Sequence, residues 1–286
     1  MEPTLLAAAE HPSGFRHIPD PPERLWLRGP LPAPDFKYLT VVGSRALTAY
    51  GRDAITKLIG GLAGYPVAIV SGLALGADAA AHEAALAAGL PTIAFPGSGL
   101  ADRAIAPRTN LGLARRILNA GGALISEWEP SAKAAPWRFP ARNRLMVGIA
   151  DAVLMVEACE KSGTLITARL SGEYGRELLC VPHRIGDVHA EGGHQFLRLG
   201  ATLVSTSAHI LKALRIEADA CATATAPRAF ASDAERAIYE MLAEPHERDE
   251  LLRKVGYVSG VALTALVSLE LNGYIIEEFG KWRRKA

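Results

Sequence analysis

From Tyr38 onward, short uninterrupted apolar runs alternate with amphipathic helical patterns, and few folds accommodate that alternation. YLTVVG precedes a helical pattern over Ala49–Leu62, VAIVSG one over Asp78–Ala88, and PTIAFPG one over Leu111–Ala120. The series continues through ALISEW, DAVLMVEA with a helix over Thr164–Tyr174, ELLCVPH, and ATLVST with a helix over Ala208–Leu214. A strand that is apolar at every position must be covered on both faces, which parallel strands joined by crossover helices achieve. The expected fold class is α/β: a doubly wound, mostly parallel, Rossmann-like sheet over 38–216.

The flanks have a different texture. Residues 1–37 carry Pro19, Pro21, Pro22, Pro30, Pro32 and Pro34, which predicts an irregular segment with one short edge strand at Leu25–Leu27. EADACATATAPR has no periodicity and reads as a linker over 217–229. Over 230–286, three helical patterns (ASDAERAIYEMLAE, one near Arg248–Val255, and SGVALTALVSLELNG) precede YIIEEF, Gly280 and KWRRKA. Three helices followed by two short strands suggest a small winged-helix domain. Its expected reader helix, Ser259–Asn272, contains neither arginine nor lysine, which makes it a poor major-groove reader and favours protein contacts. The basic end, Lys281-Trp282-Arg283-Arg284-Lys285, either grips a phosphate backbone or is a solvated tail.

Several function classes are disfavoured. Lys+Arg 31 against Asp+Glu 30 leaves a net charge of +1, so any nucleic-acid site must be a local patch. The three cysteines, Cys159, Cys180 and Cys221, are far apart and read as free thiols of a reducing cytoplasm. The N-terminal apolar run lacks a basic flank and is too short for a leader or a span, so a cytoplasmic protein with no membrane partner is expected. There is no G-x-G-x-x-G after the first strand, no GxxxxGK[ST], no G-x-S-x-G and no HExxH, so no nucleotide cofactor or metal is expected. His183, Asp187, His189 and His194 fall in one expected loop, but their spacing fits no compact metal site.

In an open α/β sheet, ligands bind outside the carboxyl ends of the strands. The first such end carries Gly43-Ser44-Arg45, a turn whose amides and guanidinium suit an anion, or simply a tight turn with a surface arginine. At the second, Ser71 and Gly72 open a glycine-flanked turn leading to Asp78 and His82, residues that a helix cap and an intrahelical pair also explain. Pro96-Gly97-Ser98-Gly99 and Ser126-Glu127-Trp128 follow. Phe139-Pro140-Ala141-Arg142-Asn143-Arg144 combines a stacking surface with forked phosphate donors, as single-stranded nucleic acid requires; the alternative is an arginine-capped helix start. Ser162-Gly163-Thr164, entering a helix, forms either an anion nest or an N-cap box.

In that order, GSR, SGLALGADAAAHEAAL, TIAFPGSGL, SEWEP, FPARNRLM, DAVLMVEA and SGTLITA make the chain resemble the DNA-processing protein A family (DprA, also called Smf) from about Leu25 to Ile210. The resemblance implies a cytoplasmic bacterial protein, without established catalysis, that binds incoming single-stranded DNA in natural transformation. It also implies loading of a RecA-type recombinase and a homodimer. Its DNA-binding pocket then maps onto Gly43, Ser44, Arg45, Phe139, Arg142, Asn143, Arg144, Ser162, Gly163 and Thr164, with Ser71 and Gly72 from the second turn. The chain departs from the family in LADRAIAPRTN, which keeps Asp102, Pro107 and Asn110 but lacks a tyrosine, and in AEGGHQF, where Gly193 and His194 replace an expected threonine and asparagine. The helical N-terminal domain of many members is expected to be absent or reduced to the proline-rich segment. A second reading is a nucleotide-binding enzyme like the lysine-decarboxylase-like phosphoribohydrolases. It would need Glu127 or Glu157 as the catalytic carboxylate, because SGTLITARLS has no acid before Glu173.

Overall fold

The computed structural model describes residues 2–160, 162–217, 230–278 and 280–284, which fall into two units, one ending at Glu217 and one beginning at Phe230. The expected linker lies outside the described residues beyond Glu217.

The first unit is built on a nine-stranded sheet. Its strands are β1 (Thr4–Leu6), β2 (Leu25–Arg28), β3 (Lys37–Val42), β4 (Val67–Ser71), β5 (Thr92–Ala94), β6 (Ala123–Ser126), β7 (Ala152–Met155), β8 (Glu177–Cys180) and β9 (Thr202–Leu203), in the order β1-β2-β6-β5-β4-β3-β7-β8-β9. From β6 to β9 every pairing is parallel, while β1 and β2 join antiparallel at one edge. The central strands are buried at every position, as Val67–Ser71 and Ala152–Met155 illustrate, which is why they carry no alternation in sequence.

Helices cover both faces. α1 (Ala49–Gly60), α2 (Ala77–Ala87) and α7 (Ser207–Ala213) bury Ile55, Leu58, Ile59, Ala81, Ala85, Ile210 and Leu211 against Leu39, Val41, Val67 and Ile69. α3 (Leu111–Asn119) sends Leu113, Ile117 and Leu118 into a smaller cluster with Leu124. On the other face, α4 (Arg138–Ile149) and α5 (Thr164–Glu173) bury Leu145, Met146, Ile149, Leu165 and Ala168 with Val70, Ile93 and Val153. The chain winds outward from β3 to β6 on one side and from β7 to β9 on the other. Order therefore reverses between β3 and β7, and there the carboxyl ends of two parallel strands leave a crevice.

Two expectations need correction. The proline-rich segment holds more structure than one edge strand. β1 pairs with β2 through Thr4↔Leu27 and Leu6↔Leu25, and the 3-10 turn Ser13–His17 buries Phe15 in the main core. Prolines outside the ladder do not prevent an edge pairing. The histidine-rich stretch is also not all loop: α6 (Glu191–Arg198) carries His194, whose Nε2 lies 3.3 Å from the His183 carbonyl. Among the described residues no group of three metal-ligating side chains stands together, and no helix is long and apolar enough to cross a membrane.

The second unit contains α8 (Asp233–Met241), β10 (His246–Glu247), α9 (Arg248–Lys254), α10 (Ser259–Leu271), β11 (Ile275–Glu278) and β12 (Lys281–Arg284), with its strands in the antiparallel order β10-β12-β11. Ile238, Leu242, Leu251, Leu266, Leu269, Ile275 and Trp282 form its core. Ser232 caps α8 by accepting from Glu235 N–H at 3.2 Å, and Glu235 reaches back to the Ala231 N–H at 2.7 Å. Arg284 is not a solvated tail residue. Its guanidinium lies 4.5 Å from the Tyr239 ring centre and donates to the Tyr239 and Glu240 carbonyls at the end of α8.

His82 is a core residue rather than a site residue: fully buried on α2, with Nδ1 2.7 Å from Thr92 Oγ1. Burial, with Arg142 adding to it, drives its pKa from 6.5 to about 3. The folded state therefore takes up its proton only near pH 3, whereas the unfolded chain takes it up near 6.5, so stability is full above that pH and lost as pH falls between the two. We expect His82 alone to lower stability by about 2 kcal/mol at about pH 5 relative to neutral pH. Thermal melts of the native chain and His82→Gln should show a smaller acid-side decline in the variant; equal declines would assign the acid sensitivity elsewhere.

Candidate functional site

A cleft of about 710 Å³ opens at the switch point. Gly43, Ser44, Arg45, Phe139, Arg142, Asn143, Ser162, Gly163 and Thr164 all line it, which brings together three segments that are far apart in sequence. Pro136, Cys159 and Ile166, which sequence reasoning did not single out, also line it.

Each segment is held by its neighbours. Gly43 ends β3 so close to α2 that a Cβ there would stand 2.7 Å from the Ala77 Cβ. The Ser44 carbonyl accepts from Ala77 N–H at 3.0 Å, and Ser44 Oγ accepts from Ala46 N–H at 3.1 Å, which fixes the turn and leaves Arg45 exposed. Gly76, at φ +74°, is required there because a side chain would strike the Ser44 and Arg45 carbonyls.

Arg45 carries its guanidinium 5.4 Å above the Phe139 ring. The ring in turn lies against Gly97, where a Cβ would approach Phe139 Cδ1 to 2.5 Å. The third turn, noticed in sequence only as Pro96-Gly97-Ser98-Gly99, thus supplies a flat seat for the aromatic ring. A guanidinium paired with an aromatic face over an open cleft offers both a phosphate donor and a stacking surface.

Arg142 is only 4% exposed. It donates to the Phe95 carbonyl at the end of β5 and, through Nε, to Asn143 Oδ1 at 3.2 Å. Burial, opposed by the attraction of Asp78, lowers its pKa to about 10, so it stays charged at neutral pH. Burial likewise raises the Asp78 carboxyl, with Arg142 pulling it back down. Gly72 is where it is because a Cβ would overlap both the Arg142 guanidinium and the Asp78 carboxylate. The second turn therefore lines the cleft through Ala74 and Asp78, while Ser71 and Gly72 do not line it. Ser71 is fully buried and donates to the Val41 carbonyl at 2.7 Å, a role within the sheet. That turn also carries Leu73 at φ 59°, a strained conformation held by Asn110, whose amide donates to the Leu73 and Ala74 carbonyls at 2.9 and 3.0 Å.

At the start of α5, Ser162 Oγ accepts from Thr164 N–H at 3.2 Å and donates to Thr164 Oγ1 at 2.9 Å. The helix thus begins with its positive end beside the cleft.

Arg144 does not join this group. It pairs with Glu127 at 2.5 Å and Asp20 at 3.1 Å, on a different face of α4 from Arg142. Two residues along a helix is a turn of about 200°, so Arg142 and Arg144 cannot share a site. The two carboxylates that a nucleotide hydrolase would need are likewise engaged outside the cleft lining: Glu127 by Arg144, and Glu157 by the Thr48 N–H and hydroxyl at the start of α1.

This doubly wound domain, with a cleft at its switch point that carries arginine and aromatic side chains, defines a protein of the Rossmann type. A family model described as DNA recombination-mediator protein A matches residues 3–215, and the chain belongs to that family. It is 35% identical to Protein Smf of Escherichia coli over 280 residues, covering 96% of this chain and 72% of that protein. The X-ray structure of DNA processing protein A from Streptococcus pneumoniae superposes with a TM-score of 0.69 at 35% identity, covering 76% of this chain and 75% of that one. The same protein from Helicobacter pylori, whose structure describes a single-stranded DNA binding mode, superposes with a TM-score of 0.66 at 29% identity, covering 75% of this chain and 96% of that one.

Because Arg144 is spent on Glu127, Arg144→Ala should lower stability by about 2 kcal/mol, chiefly by leaving a half-buried carboxylate unpaired. Ligand affinity at the cleft should stay within about twofold of wild type. Chemical denaturation and a binding isotherm on the same preparation check both; a large affinity loss with unchanged stability would return Arg144 to the site.

Proposed function

We propose that the chain binds single-stranded DNA in the switch-point cleft, by phosphate contact and base stacking rather than by catalysis. The observation that carries this reading is Arg45 stacked on Phe139 above a floor formed by buried Arg142, with the start of α5 opposite. Phosphates meet Arg45 and the positive start of α5, while an unpaired base stacks at the Arg45–Phe139 pair. The Helicobacter pylori relative, whose structure describes single-stranded DNA binding, supports the choice of ligand. Family membership supports a role in processing incoming strands during natural transformation, with protection of the strand and loading of a RecA-type recombinase as the finer reading. On this reading the protein works in the cytoplasm, as a homodimer, with no cofactor or metal. The second unit, three helices followed by a β-hairpin, serves as a winged helix that contacts a protein partner.

The test is fluorescence anisotropy of a labelled oligothymidine and its duplex at two salt concentrations. We expect a preference for the single strand and affinity that falls steeply with salt. Arg45→Ala and Phe139→Ala should each weaken binding by about tenfold or more, with unchanged melting, since both side chains reach solvent. Arg142→Ala is a poor probe, because removing a buried charge partner threatens the fold. Equal affinity for duplex and single strand, or variants that bind like wild type, would overturn the assignment.

A further inference from the structure

Just outside the cleft lining, a second aromatic cluster combines residues from two elements. Trp128 follows β6, its N–H donating to Ser126 Oγ at 3.1 Å, and Trp137 stands immediately before α4. Their rings meet edge to face, with centroids 6.2 Å apart and planes at 86°. The Arg138 guanidinium lies over both, 5.3 Å from the Trp128 ring and 5.1 Å from that of Trp137. The same guanidinium donates to the Lys133 carbonyl, which ties it to the preceding loop.

Trp137 nevertheless remains 62% exposed. An exposed apolar side chain is ordinary by itself, but this one is fixed by an edge contact and a cation, so it loses little freedom on meeting a ligand. Its position is equally specific: it adjoins Pro136, which lines the cleft, and is two residues from Phe139, the proposed stacking face. We propose that Trp137, braced by Trp128 and Arg138, is a second stacking platform that takes an unpaired base of a DNA strand as the strand leaves the cleft. This rests on the reading of the cleft as a single-strand site and extends it along α4. Charge agrees with the ligand, since the Arg138 guanidinium lies over the ring and exposed Lys133 belongs to the loop that holds it, while Glu129 has Arg24 3.7 Å away. Continuity with the cleft favours a base of the same strand over any other occupant.

The test uses the full chain and two labelled oligothymidines, one of about 6 nucleotides to fill only the cleft and one of about 20 to extend beyond it. Trp137→Ala should weaken the long strand by about tenfold and leave the short one within about twofold, while Trp137→Phe keeps most of the affinity. Intrinsic tryptophan fluorescence should be quenched by the long strand more than by the short one, and the extra quenching should vanish in Trp137→Ala. Unchanged affinity for the long strand in Trp137→Ala would overturn the proposal, as would an equal loss for both lengths. Arg45→Ala, measured in parallel, separates the two levels. If it abolishes binding while Trp137→Ala does nothing, the cleft stands and the platform falls. If Arg45→Ala binds both strands normally, the cleft reading falls and takes the platform with it.

Discussion

The guanidinium of Arg142 is the interaction on which the site depends. Placing a charge in the interior costs several kcal/mol unless it is answered, and here the Phe95 carbonyl, the Asn143 amide oxygen and the neighbouring Asp78 carboxylate answer it. Those partners come from the end of β5, from α4 and from α2, so one side chain joins one strand end to a helix on each face of the sheet. Gly72 leaves room for the group, and Asn110 holds the strained Leu73 turn beside it. With that knot in place, the first turn of α4, just before it, presents Phe139 on the flat seat of Gly97, and Phe139 presents Arg45.

A hierarchy of arginines follows. Arg142 is buried and organises, Arg45 is exposed and available, Arg144 is committed to Glu127 and Asp20, and Arg138 is committed to tryptophan faces. In the proposed reading, a chain with a net charge of +1 holds a polyanion in this way, because what matters is which cations remain available at the switch point rather than how many the chain contains. The same economy explains the acids: Asp78, Glu127 and Glu157 each compensate a buried donor or cation.

Much of this was legible in the sequence. Fully apolar runs such as VAIVS and AVLM specify strands covered on both faces, and glycine and serine at their carboxyl ends mark the loops that converge on the cleft. What could not be read was side-chain direction within FPARNR. Arg142 and Arg144 look equivalent as text, yet helical geometry sends one into the interior and the other to Glu127. Likewise Ser71 and Gly72 occupy a strand end, the expected place, but serve the sheet and the buried pair. The edge strand at Leu25–Leu27 was anticipated as β2, but β1 was missed because three-residue pairings leave almost no periodic signal, and α6 because EGGHQFLR carries two glycines in its first turn that argue against a helix.

In the proposed reading the strand lies across the switch-point cleft. Photocrosslinking a 5-bromodeoxyuridine oligonucleotide to the full chain, followed by peptide mass spectrometry, tests it directly. Adducts concentrated in residues 136–143 and 159–166, and lost in Phe139→Ala, are the expected result. Adducts confined to the second unit, or to the loop and helix from Ile185 to Arg198, would contradict it.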